Sequence, residues 1–578
     1  MKRLTLLLLL AVPMLAAAQI DTRVEVSKTY VPDVDPAAKP AIVPDRTDTV
    51  RLRPDIDYSI TPSAYSAPFA ARPFEPSRIS YWELDRPDPF YLKAGVGVPL
   101  RSVVDFHAST QHPDVGYAAG WLNHDGFYGK IRNLAGKRER ATRTHNRLGG
   151  AAGHYFGRHL LEGRLEGGLQ TFRRYGAIDP RSGDGVGDPV HYADAGVKVR
   201  FGDDFNDLGK FNFDVSAALD YFNGRSKGVV AGNNGQWGCD FGVRLGRRFG
   251  RHDLVLNAGY GFCRFRPDAG FDKYRMRRLD LGIRYDFMVR SIDFCAGLDF
   301  VYTTTMDVKP AEYNHYVLPW ARIRFKGIGD GLVPFIEMDG TVERNDFRSL
   351  ARVNTYVLAG LFGAKPTVDY NLRGGFAGSL REGRFAYSLS VEIKWQENAR
   401  YWYLTGVLPA EDGTQELYTG NPLWYSMVTD RRTVSSLVFD LHWRTLSGFY
   451  TDARIRGSLL DDRGQVGDER IGGGLPQLEA SCTAGFRRRK FEVAARVDIE
   501  SVRCWSALQR SSSPEVPTML THLRVPVTCN LALRADWHFS HSLTLFVEGD
   551  NLANARLFRW GAYPEPGIGF TAGVKMTF

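Results

Sequence analysis

From about residue 90 onward, side chains alternate between apolar and polar with a period of two over segments of ten residues or more, and this constrains the fold more than any other feature. Leu279, Leu281, Ile283, Tyr285 and Phe287 share one face of such a segment, with Asp280, Gly282, Arg284, Asp286 and Met288 on the other. The pattern recurs at Phe491, Val493, Ala495, Val497 and Ile499 against Glu492, Arg496, Asp498 and Glu500. It recurs again around Ala453 and Ile455, and at Ile568, Phe570, Ala572, Val574, Met576 and Phe578. A helix cannot keep such residues on one side; a strand does so automatically.

Alternation alone fits a soluble sandwich as well as a membrane sheet. Length separates them, because a strand tilted across a bilayer needs roughly 9 to 11 residues against the usual 5 to 6. These segments reach the longer figure, and several begin or end in a ring: Phe201, Tyr221, Phe265, Tyr274, Trp443 and Phe539 are read as an aromatic girdle at the headgroups. Past the N-terminus no apolar run reaches the roughly 18 residues of a spanning helix. The expected fold class is therefore all-β, a large antiparallel transmembrane β-barrel that leaves no unpaired edge in hydrocarbon. Spread over about 490 residues, a repeat of some 22 to 24 per strand and connection predicts about 20–22 strands, an even number.

Lys2 and Arg3, the apolar run Leu4 to Leu15 and the small residues Ala16 to Ala18 read as a secretory signal peptide, residues 1–18. No cysteine follows Ala18, so no lipoprotein anchor is expected. Residues 19–89 hold 11 of the 29 prolines, with Pro32, Pro36, Pro40 and Pro44 nearly regular, and are read as a proline-rich periplasmic arm or tether. Its short alternating stretches, Val24 to Tyr30 and Thr49 to Arg53, could add as strands to a partner's sheet; a passive linker is an equal reading. Residues 90–578 form the barrel. Tight turns are expected at Gly157-Arg158, near Gly250 and at Arg290, and longer loops at 176–188, 223–236 and 266–273. The phase is lost near 345–365 and 397–432.

At the C-terminus, Asn551-Leu552-Ala553-Asn554, Pro566-Gly567 and a final strand ending in Phe578 resemble the last two strands of TonB-dependent receptors, with Ile568 where an arginine is usual. The resemblance implies a receptor-like barrel in the cell outer membrane, delivered to the barrel assembly machinery through Phe578. A receptor of that family carries a globular plug larger than residues 19–89. What is implied is thus a plugless variant, of a kind expected in Bacteroidetes-type bacteria.

Neither HExxH nor GxxxxGK occurs, and no cofactor is expected. His442 beside Asp440 and His538 beside Asp536 are the only base-and-carboxylate pairs singled out, and an enzyme is not the reading. Asp179, Asp184 and Asp188, like Asp461, Asp462, Asp468 and Glu469, make acidic loops without calcium-site spacing. The six cysteines form no metal motif; Cys239 and Cys263 could meet across a hairpin but read as wall residues. Without Lys2 and Arg3 the formal charge of +9 falls to +7, too little for a nucleic-acid partner.

Function is expected in the lumen wall, where Arg278, Arg284, Arg322, Arg324, Lys326, Arg454, Arg456 and Arg496 should face inward among acidic residues. Mutual ion pairs are one reading and an anion-binding track is the other, with Arg322, Arg324 and Lys326 the best place for it. The expected partners are outer-membrane lipid, the assembly machinery and a periplasmic protein held by residues 19–89. The expected function is solute uptake or transport, the alternative being a non-catalytic scaffold that recruits through that arm. A wide lumen must be filled by the arm, by inward-folded loops or by a partner.

Overall fold

Alternating segments of this length leave both edges of every strand in need of a hydrogen-bonding partner, and in the computed structural model they obtain it by closing on themselves. The structure describes residues 88–578 except 113–114, 177–188, 227–231, 269–272, 290–291, 308–310, 326–330, 359–364, 382, 406, 410–414, 418–423, 467 and 511–517. The arm reading of residues 19–89 falls almost wholly outside these.

Twenty-two strands make the wall. The first seven are β1 (Phe90–Val98), β2 (Arg101–His112), β3 (Gly116–Phe127), β4 (Arg143–Phe156), β5 (His159–Phe172), β6 (Val190–Gly202) and β7 (Asn212–Ser226). Next come β8 (Gly232–Phe249), β9 (His252–Arg266), β10 (Tyr274–Val289), β11 (Ile292–Met306), β12 (Glu312–Phe325), β13 (Val333–Glu343) and β14 (Thr367–Leu380). The rest are β15 (Phe385–Thr405), β16 (Trp424–Arg444), β17 (Phe449–Asp462), β18 (Leu478–Arg487), β19 (Phe491–Glu500), β20 (Thr528–His538), β21 (Leu543–Asp550) and β22 (Gly569–Thr577). Each pairs antiparallel with its neighbours, and β22 returns to β1 from Tyr91↔Thr577 to Val98↔Phe570. Reciprocal bonds between Phe90 and Phe578 finish the closure, at 3.0 and 3.1 Å.

The outer face is apolar. Leu148, Leu165, Leu169, Leu219, Leu281 and Ile283 are exposed there, as a hydrocarbon-facing belt requires. Connections alternate in length. At one rim they are short, as at Gly157-Arg158 and Gly250-Arg251, where glycines at φ 65° and 64° take the left-handed conformation that a two-residue hairpin needs. At the other rim lie the long ones, with Pro99-Leu100 and the five-residue β7–β8 and β11–β12 connections as exceptions, while the β6–β7 connection of nine residues is the longest at the short rim. The loop expected at 223–236 is shorter than that, because β7 runs on to Ser226 and β8 starts at Gly232.

One seam is thin. β12 and β13 pair only from Ala321↔Met338 to Arg324↔Phe335, whereas β11 and β12 pair over fourteen positions. Beyond the seam β13 parts from β12 while staying paired with β14 as far as Glu343↔Thr367, and Val342 joins Val301, Tyr316, Leu318 and Val368 in a small buried cluster. A glycine at 340 permits this, since a Cβ there would lie 2.9 Å from Leu318. The chain is thereby led inward.

Candidate functional site

From its inward end β13 leads into a strap, residues 344–358, that holds a one-turn-plus helix α1 (Phe347–Val353). Asp346 caps it and accepts from the Ser349 backbone N–H, while the Ser349 hydroxyl accepts from the Asp346 N–H, a reciprocal cap that starts a helix too short to form alone. Phe347 is buried among Phe222, Phe265, Tyr192 and Tyr274, with ring centroids 5.2 to 6.0 Å from the first three. The Tyr274 hydroxyl accepts from its backbone N–H at 2.9 Å.

Charge pins the other side. Arg344, Arg348 and Arg352 recur every fourth residue and meet acids on three neighbouring strands, β6, β7 and β8. Arg348 reaches Asp194 and Asp220, each at 2.9 Å, Arg352 reaches Asp194 at 2.5 Å, and Arg344 lies 3.4 Å from Asp240. Both members of the Arg348 pairs are at least half-buried, so these contacts are screened less than surface pairs.

Past α1 the strap joins the rim of β16, where Leu358 N–H donates to Tyr425 O at 2.9 Å and Tyr425 N–H to Tyr356 O at 2.8 Å. Tyr356 then stacks on Tyr563 from the β21–β22 connection, with centroids 3.6 Å apart and planes 8° from parallel. Tyr175, from the β5–β6 connection, meets Tyr563 edge-on and donates its hydroxyl to Pro564 O at 2.8 Å. A hairpin between β19 and β20, Arg503–Arg510 with Thr518–Val525, contributes Trp505, which packs on Tyr425 and Trp560. Its Ser506–Leu508 segment runs parallel to Tyr403–Thr405.

These parts make one buried cluster that reaches the inner rims of β3, β5, β6, β7, β9, β10, β15 and β16. It is a lid of in-folded connections at the long-loop mouth. Burial pushes the phenols of Tyr175, Tyr356 and Tyr563 well above their ordinary range, because ionising them would place charge among rings. Phe265 and Tyr274, expected in the outer girdle, are instead fully buried in this lid and stacked at 4.9 Å. Their alternation with the exposed Tyr260 and Leu279 turns them inward.

Under the lid the wall is ionic. Arg278 pairs with Asp280 at 2.7 Å and donates to Val342 O; Arg284 pairs with Asp299 at 2.6 Å and Arg324 with Glu337 at 3.0 Å. Arg456 and Arg373 share Glu392 at 2.7 and 3.2 Å, Arg454 lies 3.7 Å from Asp440, and Arg496 meets Asp498 at 2.9 Å. Arg322 stacks over Trp320 at 5.6 Å, and Lys326 is outside the described residues. Near the closure Lys575 binds Asp536 at 2.8 Å and Lys93 binds Glu548 at 3.0 Å.

Neither of the His/Asp pairs singled out forms. His442 bonds Asp452 at 2.6 Å and His538 bonds Thr544 at 2.9 Å. All six cysteines are free. Among the described residues no group of three or more His, Cys, Asp or Glu side chains is placed to hold a metal, and the loop with Asp179, Asp184 and Asp188 lies outside them.

The arginines of the strap and the aspartates that receive them were missed by the sequence reading. The i, i+4 spacing of Arg344, Arg348 and Arg352 around an Asp-x-x-Ser cap was the available signal, in the segment where the strand phase was lost.

No family model and no curated protein sequence matches this chain. Solved structures do. The FrpB iron transporter from Neisseria meningitidis (F5-1 variant) superposes with a TM-score of 0.64 at 11% identity, over 86% of this chain and 83% of that one. The ferripyoverdine receptor of the outer membrane of Pseudomonas aeruginosa, bound to ferripyoverdine, gives 0.63 at 11%, over 85% and 72%. The siderophore receptor PirA from Acinetobacter baumannii gives 0.62 at 12%, over 85% and 80%. The likeness is one of fold: a 22-strand barrel of the outer-membrane receptor type.

Proposed function

We propose that this protein is an outer-membrane barrel for solute uptake, resembling TonB-dependent receptors but without a globular plug, whose mouth is closed by its own connections. The observation that carries this reading is the aromatic lid held over an ion-paired lumen. A scaffold needs only an outer wall; a lid pinned to the inner wall by partly buried ion pairs suits a path that must stay shut until a solute arrives. The likeness to siderophore and metal receptors supports a metal chelate or similar polar solute, for which the mixed charges of Arg278, Arg284, Arg454, Arg456 and Arg496 with their partners offer a hydrated wall. The Bacteroidetes-type origin and the periplasmic arm of residues 19–89 belong to the same proposal, with delivery through Phe578.

Single-channel conductance in planar bilayers tests it. Three forms are compared: full length, a form without residues 19–80, and one in which residues 344–358 are replaced by a short glycine-serine linker. The full-length protein is expected to be closed and the linker form open. If every form is closed while residues 19–89 retain a periplasmic protein, the scaffold reading replaces this one.

A further inference from the structure

The lipid-facing side of β2, β3 and β4 carries a polar chain where the belt should be apolar. Ser102 Oγ lies 2.7 Å from His124 Nε2, and His124 Nδ1 lies 2.6 Å from Asn146 Oδ1. The register places them together: His124 stands directly opposite Asn146, and Ser102, opposite Gly126, is diagonal to His124. They share a face with Val96, Leu122 and Leu148, exposed by 71%, 41% and 62%, so the chain is on the outer wall and not in the lumen. Each member lies within about 10 Å of the strand ends at the long-loop rim, counting about 3.3 Å per residue. A bilayer whose headgroup plane follows that rim would put the chain level with the lipid ester groups.

An amide oxygen only accepts, so His124 Nδ1 donates to Asn146; in the tautomer that leaves Nε2 bare, that nitrogen accepts from the Ser102 hydroxyl. A hydroxyl on a base whose far nitrogen is held by an amide is the arrangement that activates a serine.

Two further features suit a substrate. A Cβ at Gly126 would lie 2.7 Å from both Ser102 Oγ and the Tyr128 hydroxyl. Glycine at 126 therefore lets the Tyr128 phenol, able to donate to an oxyanion, come close to the serine hydroxyl. Beside Asn146 opens a depression of about 410 Å³, walled by Leu122, Leu148, Leu169 and Tyr221 above Gly167. Its size falls within the roughly 300 to 1,000 Å³ of small-ligand sites, and its walls suit an acyl chain.

The geometry points to a serine hydrolase site on the outer wall that cleaves carboxylic esters of membrane glycerolipids, with Ser102 as nucleophile, His124 as base and Asn146 as its positioning residue. Ser102 Oγ bonds to the ester carbonyl carbon as its proton passes to His124 Nε2, and the Tyr128 hydroxyl donates to the oxyanion. The carbon–oxygen bond to glycerol then breaks, and the departing alkoxide takes the proton from His124. A water molecule, deprotonated by His124, attacks the acyl-serine; the acyl–Oγ bond breaks, Ser102 regains its proton, and a fatty acid leaves. The site is independent of the uptake reading, since it lies on the opposite face of the wall. A merely structural chain of cross-strand contacts would steady the sheet and react with nothing.

Full-length protein in mixed micelles with a fluorogenic phosphatidylethanolamine, together with fluorophosphonate labelling read by peptide mass spectrometry, tests this. The wild type is expected to take the label at Ser102 and to release fatty acid. Ser102→Ala and His124→Ala are expected to lose about a thousandfold or more of that rate, and Tyr128→Phe about tenfold to a thousandfold in kcat. Asn146→Ala should lower kcat with KM unchanged, and Asn146→Asp should restore most of it, a split that lost packing alone does not produce. Heat-modifiable gel mobility checks that each variant is folded, and the wild-type labelling needs no variant at all. A wild type left unlabelled at Ser102, or hydrolysing no faster than Ser102→Ala, overturns the proposal.

Discussion

Tyr356 lies flat on Tyr563, with centroids 3.6 Å apart and planes 8° from parallel, although the two belong to connections some two hundred residues apart in the chain. Tyr563 is 1% exposed and Tyr356 8%, so the stack is the dry centre of the lid. Truncating a large buried ring costs about 3 to 5 kcal/mol. That loss falls on the lid and not on the wall, whose ladders are untouched. Tyr563→Ala should therefore keep the heat-modifiable mobility of a folded barrel while converting a closed protein into one with frequent openings in planar bilayers. A closed Tyr563→Ala barrel would mean that the stack does not hold the mouth shut.

The second prediction concerns the ionic pins. Arg348 stands between Asp194 and Asp220, at 2.9 Å from each, and reversing its charge would leave three like charges facing one another. Losing one partner of a charged hydrogen bond costs about 1.5 to 3 kcal/mol, and repulsion adds to it. Arg348→Glu should open the barrel more often than Arg348→Gln, and Asp194→Arg combined with Arg348→Glu should recover part of the closure. Conductance of the three variants at low salt, set beside their behaviour at about 1 M salt where screening is within a few ångströms, separates the pins from the stack. The stack should not respond to salt.

The phenols carry a third prediction. Tyr175, Tyr356 and Tyr563 lie in connections, and burial holds each above its ordinary range. With the lid open a phenol titrates near 10. Between that value and the raised one the closed lid keeps protons that the open lid releases, so closure is unaffected below about pH 9 and weakens as pH rises past 10. Tyrosinate absorbance and conductance recorded over about pH 7 to 11.5 should rise together at the alkaline end. Opening below about pH 9 would contradict the assignment.

The wall was legible because one rule, alternation over bilayer-length segments, governs it from Phe90 to Thr577. The same rule, applied strictly, would have placed Phe265 and Tyr274 in the interior; attention to ring position over parity sent them to the girdle. The lid was not legible for a different reason. Its parts, around Tyr175, Phe347, Trp505 and Tyr563, come from separate connections, and each is too short to show a period of its own. Their partners are fixed only by closure of the ring. The outer polar chain was hidden likewise, since Ser102, His124 and Asn146 lie 22 residues apart and meet only through strand register.

The last prediction tests the wall itself. Ile283 is 44% exposed on β10, mid-strand between Leu281 and Tyr285, with its side chain on the apolar face. If that face meets hydrocarbon, Ile283→Arg places a charge near the midplane at a cost of about 2 to 4 kcal/mol, whereas Gly282→Arg, turned to the lumen, would meet water but strike Asp299, whose carboxylate lies 2.2 Å from a Cβ at that glycine. A lumen control free of that crowding is Gly196, opposite Asp220 on the ionic face, where a Cβ would meet only the Leu219 carbonyl oxygen, at 3.8 Å. Folding into lipid vesicles, followed by gel mobility against urea, should show the loss for Ile283→Arg and little for Gly196→Ala. Equal stability of Ile283→Arg and the parent would remove the bilayer from the outer face, and with it both the uptake path and the ester site proposed above.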